Sequence, residues 1–274
     1  MKELDGKVAV VSGASRGVGQ RIAWRLGHES AAVALVARGE SGLRETQKGM
    51  EELGARTLVV ASDLSRPESI DRAKDEIEGE LGQVSVLVNA AGIFGPIDLV
   101  KDTDPAAWIE TIMVNTIAPY LTCRAFVGGM IDRGWGRIVN VTSAAALHEP
   151  EPLNSAYGTS KAALNRFTRH LAAELNGTGV TANVIHPGDL KTEMWATIKV
   201  DAGRLGATAD AYTQWAEWVE KTGGDDPEKA ADLVAELMSD EAAEVNGRFL
   251  WIRGGLQAPI ASWGERGETQ PWRK

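Results

Sequence analysis

The chain has 274 residues, 43% of them hydrophobic, with 29 basic and 38 acidic side chains and a formal net charge of −9. That length suits one large α/β domain or two small ones, and that charge argues against nucleic acid as a main partner. The single cysteine, Cys123, excludes an internal disulfide, and no apolar run approaches the roughly 20 residues of a membrane span. The charged start Met1–Gly6 leads straight towards a strand rather than into an apolar signal segment. A cytoplasmic protein with no membrane partner is therefore expected. His28, His148, His170 and His186 show no metal-ligand spacing, so no metal is expected.

The first element is Lys7–Ser12, a β-branched run of the kind buried in a parallel sheet. It feeds a glycine loop, Gly13-Ala14-Ser15-Arg16-Gly17-Val18-Gly19, and a helical pattern through Ile22, Ala23 and Leu26. Strand, glycine loop and helix together are the context of a phosphate cradle, because the backbone can approach a pyrophosphate and the helix N-terminus attracts its charge; the alternative is a plain turn. The next strand, Ala31–Ala37, ends in Arg38. A dinucleotide site that takes NAD places an acid there for the ribose 2′-hydroxyl. An arginine instead suits a 2′-phosphate, and Arg16 can serve the same group, so both favour NADP(H) over NAD(H). The alternative is an Arg38 that only solvates a loop.

Thr57–Ala61 is a third strand, followed by Ser62, Asp63 and Leu64. Asp63 either accepts from an adenine amino group, or it or Ser65 caps the helix that starts near Pro67. Val84–Val88 is a fourth strand and leads into Asn89-Ala90-Ala91-Gly92, small residues that permit close backbone approach or a tight turn. A helix begins over Asp104–Thr111 with Pro105 first, and Asn115 falls within this long helical region. Arg137–Thr142 is the fifth strand and delivers Ser143; Thr178–Ile185 is the sixth and leads to His186-Pro187-Gly188; Phe249–Ile252 is a short seventh.

Between the fifth and sixth strands the helical run Asn154–Leu171 carries Tyr157-Gly158-Thr159-Ser160-Lys161. Residues four apart share a helical face. An ammonium beside a phenol favours the phenolate, so Tyr157 can trade a proton nearer neutral pH. A hydroxyl at Ser143 can bond the oxygen on which charge develops. Strands alternating with helices imply a doubly wound α/β fold with a parallel sheet and ligands at the strands' C-terminal ends. The singled-out groups all fall at those ends. No linker or repeat interrupts residues 1–255, so one domain is expected there, with a C-terminal extension over 256–274.

These residues resemble the short-chain dehydrogenase/reductase family. Its cofactor motif T-G-x-x-x-G-x-G matches Ser12–Gly19, with serine for the leading threonine. Its N-N-A-G matches Asn89–Gly92, with alanine second; its Asn, Ser, Tyr, Lys tetrad matches Asn115, Ser143, Tyr157 and Lys161; its P-G-x-x-x-T matches Pro187–Thr192. The resemblance implies a Rossmann fold with strand order 3-2-1-4-5-6-7. It implies that Tyr157 is general acid in reduction and general base in oxidation. Lys161 would lower the Tyr157 pKa and hold the nicotinamide ribose, and Ser143 would hold the substrate carbonyl. Asn115 would fix a helix bend and a water that relays protons to Lys161. Pro187, Gly188, Leu190 and Thr192 would bind the cofactor, Thr192 at the nicotinamide carboxamide. It further implies a homo-oligomer, tetramer or dimer, through helices near 105–133 and 155–176.

Residues 190–224 are long and tryptophan-rich, and in the family this region is a lid over the substrate. Met194, Trp195 and Trp215 are candidate pocket residues there, with Leu147 and His148 from the segment after Ser143. Trp215 and Trp218 share a helical face that either packs on the core or meets an apolar or aromatic substrate. His148 serves equally as a surface loop residue. Trp263 and Trp272 in the extension either dock or lie in a disordered tail. The reading that gathers these expectations is an NADP(H)-dependent oxidoreductase interconverting a small-molecule ketone and a secondary alcohol. Three rivals stand beside it: a 3-oxoacyl-thioester (acyl-carrier-protein) reductase, an NAD-linked alcohol dehydrogenase, and a non-catalytic NADP sensor on the same fold.

Overall fold

The computed structural model describes residues 4–252 apart from positions 53, 148, 149 and 151. His148 and the C-terminal extension with Trp263 and Trp272 lie outside the described residues.

Seven parallel strands form one sheet: β1 (Val8–Ser12), β2 (Ala32–Ala37), β3 (Thr57–Ala61), β4 (Val84–Asn89), β5 (Gly136–Val141), β6 (Val180–His186) and β7 (Phe249–Trp251). Their order is β3-β2-β1-β4-β5-β6-β7, as the family resemblance implies. The crossovers are α1 (Gly17–His28), α2 (Glu40–Glu51), α3 (Pro67–Glu80), α4 (Pro105–Ile112), α5 (Ala118–Asp132) and α6 (Ser155–Glu174). Alternate residues of β1 enter opposite cores. Ala9 and Val11 pack with Ile22 and Leu26 of α1 and Leu233 of α9 (Glu228–Leu237), with α7 (Glu193–Leu205) and α8 (Asp210–Thr222) lying between β6 and α9 in the chain. Val8 and Val10 pack with Ile77 of α3, Phe126 and Met130 of α5 and Leu171 of α6. The sheet is therefore buried on both faces, which is why its strands read as continuous apolar runs.

From β1 the chain winds outward to β2 and β3 and then returns past β1 to β4. That reversal opens a crevice at the strands' C-terminal ends. The expected strand over 178–185 begins instead at Val180, because Gly179 turns left-handed with φ +79 to pass beside Gly134. After β6 the chain leaves the sheet for α7 and α8, and an isolated antiparallel bridge joins Leu190 to Gly224 where it leaves and returns. No helix among the described residues is long and apolar enough to cross a membrane.

Candidate active site

The crevice is floored by two loops that hold each other. The Ser12 hydroxyl accepts from the Ala91 amide at 3.3 Å, tying the loop after β1 to the loop after β4. Serine thus keeps the hydroxyl that a leading threonine would bring. Gly13 adopts φ +70, and a Cβ there would lie 2.7 Å from the Ala91 nitrogen. A Cβ on Gly19 would overlap the Gly13 carbonyl. At Gly17 the space is open except for the Thr192 methyl, 3.9 Å from such a Cβ. The N-cap of α1 is Arg16, whose side chain makes no capping bond. The first-turn amides of α1 therefore meet no side-chain acceptor from their cap, and they suit an anion. A cradle closed to side chains and an uncapped helix start fit a dinucleotide diphosphate.

Around this cradle, the positively charged groups have protein partners. Exposed Arg38 pairs with Glu110 at 3.4 Å, and exposed Arg16 pairs with Glu193 at the start of α7. Asp63 accepts from both the amide (3.1 Å) and the hydroxyl (2.7 Å) of Ser65, and these bonds with nearby Arg66 hold its carboxyl below the usual value. Neither residue caps α3; the N-cap is Arg66, with no capping side chain. Leu64 packs against the core, as do Val18 and Ala90. Ser15 lies against Gly42 of α2. Asn89 is less available than its motif suggests. Its Nδ2 donates to Asn140 Oδ1 at 2.8 Å, and its Oδ1 accepts from Thr122 at 2.8 Å. Asn140 in turn donates to Thr168 of α6. This buried polar ladder joins β4, β5, α5 and α6, and it leaves the Asn89 backbone rather than its amide for a cofactor.

Across the crevice stands the tetrad. Between α4 and α5 the helix widens into a π turn, Met113–Ile117, of the kind that recurs at functional sites. The turn buries Asn115, whose Oδ1 accepts from the Ile93 amide at 2.9 Å. Its Nδ2 donates to the Ile93 carbonyl at 2.8 Å and to Ser160 Oγ at 3.0 Å. A Cβ on Gly92 would sit 3.3 Å from Asn115 Oδ1 and 3.6 Å from Lys161 Nζ. The glycine thus leaves space open beside both groups. Ser143 follows β5, and its Oγ accepts from the Ala145 amide at 3.2 Å.

Tyr157 and Lys161 are buried on α6. Burial pushes the Tyr157 phenol above its ordinary value, and a hydrogen bond with Ser143 draws it partly back. Burial pushes Lys161 down to about 8. Lys161 is held beside the tyrosine by the end of β5. Its Nζ donates to the Val141 carbonyl at 2.9 Å and stands 5.7 Å from the tyrosine ring centroid. Ser143 is hydrogen-bonded to the phenol.

The segment after β6 closes this side. Pro187 and Gly188 lead to buried Leu190, and Thr192 accepts from the Trp195 amide at 3.4 Å as the cap of α7. Met194 and Trp215 join an apolar cluster with Ile97, Leu153 and Ile198. The Trp215 indole also donates to Asp189 at 3.1 Å. Trp195 packs differently from its expected pocket role. It lies between α7 and α8, donates to the Ala216 carbonyl at 3.1 Å and carries Lys191 and Lys199 over its ring. Trp218 is exposed, and Leu147 is half-buried after a short 3₁₀ turn at Ala144–Ala146. Sequence reasoning passed over Phe94, which stacks on Tyr157. The available signal was an aromatic residue in a loop two positions after Gly92.

Comparisons with known proteins agree with this layout. The model of the family described as short chain dehydrogenase matches residues 7–203. A short chain dehydrogenase from Pseudocercospora fijiensis is 37% identical over 71% of this chain and 63% of its own length. The 3-oxoacyl-[acyl-carrier-protein] reductase FabG of Pseudomonas aeruginosa is 32% identical over 92% of this chain and 98% of its own. Among solved structures, a single-substitution variant of the actinorhodin polyketide ketoreductase with NADPH superposes with a TM-score of 0.82 at 30% identity, over 92% and 96% of the two chains. An NAD+-bound xylitol dehydrogenase gives 0.84 at 26% identity, over 92% and 99%. The chain belongs to the short-chain dehydrogenases, an oxidoreductase family whose structures include both NADPH and NAD+ complexes.

Proposed function

We propose that this protein is an NADP(H)-dependent reductase of ketones, with Tyr157 as proton donor. The observation that carries the reading is a buried phenol on α6 bonded to Ser143, beside an uncapped helix start that suits a diphosphate. Gly13, Gly17, Gly19 and the backbone of 89–92 would hold the dinucleotide, and Arg16 and Arg38 would take its 2′-phosphate in exchange for Glu193 and Glu110. When bound, NADPH supplies the hydride. Ser143 directs its hydroxyl to the carbonyl oxygen, and Tyr157 protonates the alkoxide as it develops. Lys161, held by the Val141 carbonyl at 2.9 Å, would bind the nicotinamide ribose. Asn115 holds the loop at Ile93 against α6 and keeps this cluster in register.

The assay is NADPH consumption over a broad ketone panel, beside NADH and with Tyr157→Phe. Turnover with NADPH that disappears in the variant supports the reading; NADPH binding without turnover of any ketone favours the sensor. Arg38→Ala should weaken NADPH far more than NADH, and equal losses would return the assignment to an NAD-linked enzyme.

A second reading, reduction of a 3-oxoacyl thioester, draws on the 32% identity with the FabG reductase. Its test is acetoacetyl thioester on a carrier protein against the free ketones. For assembly, exposed Ile109, Tyr120 and Ile131 recur along α4 and α5 and support self-association through that face, which light scattering would measure.

A further inference from the structure

Ser143 is anchored on both sides by the end of β6. Just before it, the Thr142 amide donates to the Ile185 carbonyl at 2.8 Å. Just after it, the Ala144 amide donates to Nδ1 of His186 at 3.3 Å. The rest of the turn satisfies itself. The Ala145 amide donates to Ser143 Oγ, and the amides of Ala146 and Leu147 donate to the carbonyls of Ser143 and Ala144. The Ala144 amide thus finds its acceptor outside the turn, and that acceptor is a side chain. His186 is buried at the last position of β6, in register with Trp251 of β7. The Trp251 ring meets it edge-on, at 4.9 Å and 79°, and so limits how the imidazole can rotate.

An imidazole accepts at Nδ1 only when that nitrogen carries no proton, so the neutral ring bears its hydrogen on Nε2. Ala144, Ala145 and Ala146 bring only methyl groups and none of them is buried, so packing does little to place the turn. Placement matters here, because moving a reacting group by about 1 Å can cost about 10²-fold in rate. We propose that His186 is a positioning residue for Ser143: by holding the Ala144 amide, its Nδ1 fixes where the Ser143 hydroxyl meets Tyr157 and the substrate carbonyl. This rests on the reductase reading above, in which Ser143 directs its hydroxyl to that carbonyl.

The experiment separates the acceptor from the ring. His186→Phe keeps an aromatic ring against Trp251 and removes the acceptor. His186→Asn removes the ring and puts an amide oxygen near the place of Nδ1. For both, kcat and KM are measured with the fastest ketone of the panel above, and NADPH affinity by quenching of tryptophan fluorescence. His186→Phe should lower kcat by about ten- to hundredfold while NADPH affinity stays within a few-fold, and His186→Asn should bring kcat back to within a few-fold of the wild type. A loss in His186→Asn as large as in His186→Phe, or full turnover in His186→Phe, would overturn the proposal and leave His186 as packing for Trp251. Nitrogen NMR of the wild-type histidine rings at neutral pH supplies a readout that needs no turnover, with His186→Asn identifying the signal. A bare Nδ1 and a protonated Nε2 are expected, and a proton on Nδ1 would overturn the proposal. Tyr157→Phe is run alongside to test the reductase reading. Should the wild type reduce no ketone, that reading fails separately and the tautomer decides the role of His186.

Discussion

The two sides of the crevice are made of different materials. On the β1–β4 side the working surface is backbone: amides at the start of α1, glycines that side chains would block, and two loops joined by Ser12 and Ala91. On the β5–β6 side it is side chains, each oriented by another group: Tyr157 by Ser143 and Phe94, Lys161 by the Val141 carbonyl, Trp215 by Asp189. Backbone surfaces recognise what all dinucleotides share. On the proposed function, the side-chain surface would carry the chemistry and the choice of substrate.

The largest expected effect separates the two sides. Tyr157→Phe should lower ketone turnover by about 10²- to 10⁴-fold while NADPH binding stays within a few-fold. A parallel loss of NADPH binding, read by quenching of tryptophan fluorescence, would show the sides to be one unit. Gly19→Ala strikes the other side. Its Cβ would overlap the Gly13 carbonyl, so NADPH binding should vanish with a destabilisation of about 1–3 kcal/mol in urea unfolding. Wild-type affinity in this variant would mean that the cradle yields more easily than its packing indicates.

Lys161 gives a prediction in pH. Below about pH 8 the folded state bears a buried ammonium, and the unfolded chain bears a solvated one. Between about 8 and the ordinary 10.5 the folded state has released its proton and the unfolded state still holds one. Stability should therefore rise with pH across that window. Lys161→Met should remove the rise, raise the melting temperature at pH 7 and abolish turnover. A variant that melts lower at pH 7 would show that the bond to Val141 outweighs the cost of burying the charge. The smallest effect concerns the ion pair between Arg16 and Glu193, which spans the crevice. Glu193→Gln frees Arg16, and because both partners are exposed the gain in NADPH affinity should be at most a few-fold. A larger gain would couple the two sides through α7.

The backbone side was largely legible in the sequence. Glycines placed between an apolar strand and a helix have few other uses, and β-branched runs at regular intervals gave the sheet. The tetrad was legible only through its resemblance to a family, since Asn115 alone reads as a surface asparagine and nothing local announces a π turn. The side-chain environment was not legible. That Trp195 turns between α7 and α8 while Phe94 turns to Tyr157 depends on tertiary packing, which periodicity does not encode. Asn89 shows the same limit: its motif suggested a cofactor contact, and its amide is engaged by Asn140 and Thr122.

The bridge between Leu190 and Gly224 has a neighbour just below it, where the Asp225 amide donates to the Asp189 carbonyl at 2.8 Å and the Asp225 carboxylate accepts from the Asp189 amide at 3.0 Å. Together they form a collar through which the chain departs from β6 and comes back to α9. Such a collar ties the two ends of the segment to each other, so a change of length between them need not move the strands below. The α7–α8 segment is in that sense a cassette. On the proposed function, swapping it between relatives tests whether it carries the substrate preference.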